Sequence, residues 1–308
     1  MRRLLGTTVA ITIAMTLTAC AGGDDGDDRP HIVVTTNILG DVVASTVGDA
    51  AQVTTLMRPN ADPHSFEISA REAAMMRDAD LVVSNGLGLE EGLQRHLDQA
   101  AEAGVETYVA GEQIDVLDYA DGESAGTPDP HFWTDPARMR DVVDGLEAAT
   151  KDIEGIDDRT VEQAAAAYRT ELEKLDQEMT GSFASIPEQN RSLVTNHHVF
   201  GYLAERFGFR VVGAVIPGGT TLAAPSAADL RDLTEAIEQA GVPTIFAESS
   251  QPDRLIQVLA DEAGVDVAVS ELFTESLTEK GEGADTYLSM MRANTERITS
   301  GLSPGPTE

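Results

Sequence analysis

The 308-residue sequence contains a single cysteine, Cys20. One cysteine cannot form an intramolecular disulfide, and a zinc site built from several thiolates is excluded as well. Aromatic residues make up only 5% of the chain, within a hydrophobic fraction of 42%. After residue 19 no stretch stays apolar for the roughly 20 residues that a membrane-spanning helix needs. The composition is that of an ordinary soluble α/β protein, and the length indicates one large or two medium domains.

Basic residues are also scarce. The chain has 21 Lys and Arg against 53 Asp and Glu, a formal net charge of -32. Nucleic acid is therefore excluded as the expected partner, because phosphate binding needs a basic surface. An acidic surface favours the approach of cations in a general way.

The N-terminus has the pattern of an export signal. Arg2 and Arg3 precede an apolar or small run, Leu4–Leu17, and small residues then lead to Cys20. Leu17-Thr18-Ala19-Cys20 resembles the lipobox of bacterial lipoproteins. We expect residues 1–19 to be a lipoprotein signal peptide, Cys20 to carry the lipid, and residues 20–30 to be a flexible tether. The protein is then expected outside the cytoplasm, anchored to the cell membrane, at the cell surface or in a periplasm.

From His31 onward, short β-branched runs alternate with helical stretches, which predicts parallel sheets covered on both faces. This pattern assigns residues 31–153 to an N-terminal α/β lobe and residues 187–308 to a C-terminal one. The predicted strands are His31–Thr36, Gln52–Met57, Asp80–Ser84, Val105–Ala110, Ser192–Asn196, Arg210–Ile216, Thr244–Glu248 and Asp266–Ser270. The predicted helices lie near 38–47, 69–79, 90–103, 136–153, 199–207, 226–240, 252–263 and 284–300.

One long helix is predicted between the halves, within residues 154–186. No proline or glycine occurs from Asp157 to Thr180. Apolar residues recur there at spacings of three and four, which predicts a single buried stripe and a rigid connection between the lobes. The stripe consists of Val161, Ala164, Tyr168, Leu172, Leu175 and Met179.

Two of the six histidines lie in loops of the same design. Asp62-Pro63-His64 and Asp129-Pro130-His131 each follow a predicted strand. Proline fixes its own φ and keeps the preceding residue extended, so each loop can present its histidine rigidly. A single loop histidine is more often a surface residue than a ligand, but two loops of one design favour a metal site.

A third ligand is expected in the second half. His197 and His198 follow the strand Ser192–Asn196, at the strand end where open α/β sheets bind ligands. Adjacent residues of an extended chain point in opposite directions, so one should bind and the other should not. Position alone leaves both open. Glu275 follows the last predicted strand and is the candidate for the fourth ligand.

These segments resemble the zinc and manganese solute-binding proteins of ABC importers, the cluster A-I or ZnuA/TroA-like family. The resemblance covers nearly the whole chain after the tether, in Asn60–Glu67, Asp129–Pro136, Val194–Ala204, Phe246–Ser249, Leu272–Leu277 and Tyr287–Asn294. It implies two Rossmann-like lobes joined by one long rigid helix, with the metal in the cleft between them. It also implies that the ligands are His64, His131, His197 and Glu275.

The chain departs from the usual family pattern at two places. Residue 275 is Glu where the family usually has Asp, and the segment Asp115–Asp129 lacks the histidine-rich loop that many zinc members carry.

The expected donor set, three imidazoles and one carboxylate, suits Zn²⁺, whereas Mn²⁺ prefers more oxygen. Manganese binders of the family commonly have a carboxylate at the position of His197, so Mn²⁺, or iron, is the alternative cargo.

The alternative class is a zinc hydrolase, in which Glu275 would be a base, but no His-Glu-x-x-His segment is present. A metal-binding adhesin on the same scaffold is a third possibility. Glu248 is a candidate to orient a ligand or, equally, an ordinary strand terminus. The resemblance further implies an ABC permease and its ATPase as partners, and we expect a monomer without catalytic activity.

Overall fold

A computed structural model describes residues 29–120, 124–214, 216, 219–222, 226–249 and 268–303. Cys20 and the predicted helix 252–263 lie outside these residues, as does the start of the predicted strand Asp266–Ser270. Among the described helices, none is long and apolar enough to cross a membrane.

The first lobe is built on a parallel sheet of four strands. The strands are β1 (His31–Val34), β2 (Gln52–Thr55), β3 (Leu81–Ser84) and β4 (Glu106–Val109), in the spatial order β2-β1-β3-β4. The helices are α1 (Asn37–Val47), α2 (Ala70–Arg77), α3 (Gln94–Glu102) and α4 (Pro136–Thr150). Two of them have side-chain caps that the sequence supplies locally, a capping box of Ser69 with Glu72 on α2 and Asp135 before Pro136 on α4.

Both faces of this sheet are covered, as the alternation of strands and helices predicts. On β1, Ile32 and Val34 belong to a core that includes residues of α1 and α4. Val33 between them points to the other face, where it packs in a cluster with Met76 of α2 and Ala100 of α3. Burial on both faces explains why β1 reads as a continuous apolar run.

Among its described residues, the second lobe has four more strands, in two parallel pairs. They are β5 (Ser192–Thr195) with β6 (Arg210–Ala214), and β7 (Thr244–Glu248) with β8 (Ala268–Leu272). β5 lies beside β7, and the backbone N–H of Glu248 donates to the side chain of Asn196 at 3.2 Å. The helices are α6 (Gly201–Phe207), α7 (Ala227–Ala240) and α8 (Tyr287–Leu302).

A 27-residue helix, α5 (Asp158–Ala184), connects the lobes and would span about 40 Å. Its buried side chains follow the predicted stripe with one correction, since Ala165 is fully buried and Ala164 only half-buried. α5 packs against α1 and α4 of the first lobe and against α8 of the second. Ion pairs from Arg169 to Asp144 and from Arg292 to Glu178 add polar contacts along these two seams.

Candidate metal site

The four predicted ligands lie together. One nitrogen from each of His64, His131 and His197 and one oxygen of Glu275 all fall within 4.8 Å of one another, and all four residues are buried. Among the described residues this is the one group of three or more His, Cys, Asp or Glu side chains that could hold a metal ion.

The three imidazoles converge on one carboxylate oxygen. The distances from Glu275 Oε1 are 2.9 Å to His64 Nε2, 3.2 Å to His197 Nε2 and 3.3 Å to His131 Nε2. His64 Nε2 and His131 Nε2 are 3.4 Å apart. Donors about 2.0–2.1 Å from one ion in a tetrahedron stand roughly 3.3–3.4 Å from each other. The separations therefore suit a small tetrahedral ion.

Each ligand follows the carboxyl end of a strand, where open α/β sheets present their loops. His64 lies in the loop after β2, and His131 in the long connection after β4. His197 lies two residues past β5, and Glu275 three residues past β8.

A carboxylate fixes the ring of His131. The backbone N–H and the ring Nδ1–H of His131 both donate to Asp129 Oδ1, at 2.9 and 2.7 Å. Nε2 is then the ring nitrogen that remains for a metal. This role of Asp129 was missed from the sequence, although its position two residues before the histidine was the available signal.

His197 has the same arrangement from a distant partner. Its backbone N–H and its Nδ1–H both donate to Glu248 Oε1, at 2.8 and 2.7 Å. Glu248, the orienting candidate from the sequence, is buried at the end of β7. The neighbouring His198 is half-buried and lines a separate cavity of about 590 Å³.

His64 differs from the other two. Asp62 Oδ1 accepts its backbone N–H at 2.9 Å, yet His64 Nδ1 is buried without a hydrogen-bond partner among the described residues. The same Asp-Pro-His tripeptide thus supports its histidine differently at the two loops.

Glu275 belongs to the second half of the chain but is held by the first lobe. The indole Nε1–H of Trp133 donates to the carbonyl of Thr274 at 2.8 Å. Asn37 Nδ2–H donates to Ser276 Oγ at 2.8 Å, and its Oδ1 accepts from the backbone of Leu277 at 2.9 Å. These contacts on both sides of Glu275 bring its carboxylate against the histidines of the first lobe. Nothing in the sequence pattern pointed to Asn37.

Charges inside the site shift its titration. Burial lowers the pKa of His131 and of His197, but the neighbouring carboxylates outweigh burial and raise both. Asp129 and Glu275 act on His131, and Glu248 and Glu275 act on His197. Burial raises the pKa of Glu275, but His197 and the other imidazoles hold it well below its usual range.

We expect metal affinity to fall as the pH falls. With raised pKa values, His131 and His197 keep protons to higher pH, and a metal must displace them, whereas Glu275 is already ionised. The loss should be about tenfold per pH unit for each displaced proton, below the pKa values concerned. Competition titrations against a chelator from about pH 8 to about pH 6, corrected for the chelator's own protonation, measure it. A flat profile would contradict this linkage.

The model of the family described as zinc-uptake complex component A, periplasmic (ZnuA), matches residues 32–301. The metal ABC transporter substrate-binding lipoprotein FimA of Streptococcus parasanguinis is 30% identical over 95% of this chain and 96% of its own. The manganese-binding lipoprotein MntA of Halalkalibacterium halodurans is 27% identical over 98% and 100%. The structure of the periplasmic zinc binding protein TroA from Treponema pallidum superposes with a TM-score of 0.81 at 29% identity, covering 90% of this chain and 100% of that one. The chain therefore belongs to the ZnuA family of metal ABC transporter substrate-binding proteins, which are solute-binding components and not enzymes.

Proposed function

We propose that this protein captures Zn²⁺ with His64, His131, His197 and Glu275 and delivers it to the permease of a metal ABC importer, which a separate ATPase drives. The observation that carries the proposal is the convergence of three imidazole Nε2 atoms on Glu275 Oε1. Three nitrogens and one carboxylate suit Zn²⁺ better than Mn²⁺. All four proposed ligands come from one chain, so the site needs no second copy, and we propose that the protein is a monomer.

Mn²⁺ is the second candidate cargo. Several relatives are named as manganese-binding or manganese-transporter proteins. In this chain, Glu275 Oε2 is buried without a hydrogen-bond partner among the described residues. This atom could give a metal a second hard oxygen, which is the donor type that Mn²⁺ favours.

A direct competition between the two ions tests the proposal. Protein stripped with a chelator should take up one equivalent of Zn²⁺ tightly, because the described residues offer one complete ligand set. Excess Mn²⁺ should displace little of it, since nitrogen-rich sites favour zinc. Metal analysis after gel filtration and calorimetric titration measure both. Uptake of no tight zinc, of two equivalents, or of Mn²⁺ in preference would contradict the proposal.

We also propose that lipid on Cys20 anchors the protein outside the cytoplasm, as the names of its lipoprotein relatives suggest. Cys20→Ala removes the thiol that the lipid would modify. The variant should leave the membrane fraction almost completely and bind zinc as the parent does. His197→Ala keeps the lipobox and should stay in the membrane fraction. A Cys20→Ala variant that also stays there would refute the anchor.

A further inference from the structure

A short segment of the second lobe reaches across to the first lobe beside the metal ligands. This closing segment, Gly219–Leu222, lies between β6 and α7. Through Gly219 and Thr221 it forms three hydrogen bonds with side chains of the first lobe.

The first attachment joins Thr221 to the loop of His64. The hydroxyl of Thr221 donates to Asp62 Oδ2 at 2.6 Å. The other oxygen of the same carboxylate accepts the backbone N–H of His64 at 2.9 Å. One carboxylate thus links the closing segment directly to the backbone of a proposed ligand.

The second attachment joins Gly219 to the surroundings of His131. The hydroxyl of Tyr119 lies 3.2 Å from His131 Nδ1 and donates to the carbonyl of Gly219 at 3.1 Å. The backbone N–H of Gly219 donates to Ser124 Oγ at 3.1 Å. A Cβ atom on residue 219 would lie 2.4 Å from the ring of Tyr119, so this approach requires glycine.

The two attachments hold one segment of the second lobe on both histidine loops of the first lobe. The ligand cluster combines side chains from both lobes, so an opening between the lobes at the two histidine loops must break these attachments. Each lost hydrogen bond shifts the equilibrium toward the open arrangement and so speeds departure of the ion. A bond to a carboxylate contributes more than one between neutral groups.

We propose that Tyr119 and Thr221 are positioning residues that keep the closing segment on the two Asp-Pro-His loops and so set the rate at which the ion is released. This inference rests on the proposed function, because it needs the ion to occupy the site. Neither residue is a ligand, so the number of ions bound does not depend on them.

Zinc release from the loaded protein tests the inference. The loaded protein is mixed with the chromophoric chelator 4-(2-pyridylazo)resorcinol, at concentrations where the rate no longer depends on the chelator. Thr221→Val keeps the shape of the side chain and removes the hydroxyl, and should release Zn²⁺ about tenfold faster. Thr221→Ser keeps the hydroxyl, and its rate of zinc release should lie within about twofold of the parent's rate. Tyr119→Phe should also speed release, by about fivefold or more.

Thr220→Val is the matched control, because the Thr220 hydroxyl accepts the backbone N–H of Leu222 within the segment itself. It should release zinc at about the parent's rate. All variants should bind one zinc and melt like the parent without metal, a pattern that general loss of structure would not give. If Thr221→Val does not fold, Thr221→Ala removes the same hydroxyl and gives the same test.

Two results overturn the inference alone. One is a parent that binds zinc while Thr221→Val and Tyr119→Phe release it at the parent's rate. The other is a Thr220→Val variant that speeds release as much as Thr221→Val does. A parent that binds no zinc overturns the proposed function, and this inference with it.

Discussion

His197→Ala is expected to lower the affinity for Zn²⁺ by about a hundredfold to a thousandfold. A four-ligand zinc site contributes roughly 10–16 kcal/mol of binding free energy, so each ligand carries a substantial share. The substitution also leaves the buried carboxylate of Glu248 without the ring Nδ1–H donor that it accepts from at 2.7 Å, which should lower the stability of the folded protein. Competition titration against a chelator of known zinc affinity measures the change.

His198→Ala is the control for this prediction. The side chain of His198 lines the separate cavity and lies outside the ligand cluster, so zinc affinity should stay within about threefold of the parent. His197→Glu should shift preference toward Mn²⁺ because it adds a hard oxygen donor. An equal loss of zinc affinity in His197→Ala and His198→Ala would mean that both residues bind the ion. If neither substitution lowers zinc affinity, the third ligand is another residue, and the preference for Zn²⁺ over Mn²⁺ loses its main support.

Glu275→Gln is expected to reduce zinc affinity by about a hundredfold or more. Gln matches Glu in size but removes the negative charge on which three imidazoles converge. A neutral amide is a weaker ligand for a divalent cation, and a buried cation keeps less of its charge compensated. Calorimetric titration of the metal-free variant measures both the affinity and the number of ions bound.

Glu275→Asp provides the comparison. It keeps the charge, and Asp is the residue that the resemblance leads one to expect at this position. The carboxylate is one methylene shorter, but the backbone contacts of Thr274 and Leu277 should keep the loop in place. We expect a loss of about tenfold or less. If Glu275→Gln binds zinc as tightly as Glu275→Asp does, the charge of Glu275 does not contribute to binding of the ion.

Local patterns of the sequence predicted most of the fold. Six of the eight predicted strands lie wholly within the described residues, and each corresponds to an observed strand within a few residues. A seventh, Arg210–Ile216, overlaps β6 (Arg210–Ala214) and includes residue 215, which is not among the described residues. Continuous apolar runs alternating with amphipathic stretches distinguish strands from helices here. Parallel strands buried on both faces must be apolar throughout, whereas the helices that cover them need only one apolar stripe. The eighth, Asp266–Ser270, overlaps β8 (Ala268–Leu272), with its first two residues outside the description. The residue boundaries of the two lobes stay a prediction.

The long helix shows where pattern reading loses precision. The run without proline or glycine stops at Thr180, but α5 continues across Gly181 to Ala184, still within the predicted bounds 154–186. Phe183 in this last turn packs edge-on against Phe207 and Phe209 of the second lobe. Packing against distant aromatic rings outweighs the cost of about 1 kcal/mol that a glycine adds to a helix.

The sequence by itself determined the features of the site that depend on neighbouring residues. An Asp two residues before a histidine can accept the histidine's backbone N–H, and it does so in both Asp-Pro-His loops. Strand ends placed the candidate ligands at one edge of each sheet. Only the tertiary structure decided which residue, if any, accepts a hydrogen bond from each ring Nδ1 atom. His131 Nδ1 donates to its own loop's Asp129, His197 Nδ1 to Glu248 from another strand, and His64 Nδ1 has no such partner among the described residues. Asp62 turns its second oxygen to Thr221 instead, across 159 positions of the chain. Contacts of this kind depend on how the two lobes pack against each other, and the spacing of residues along the chain does not predict that packing.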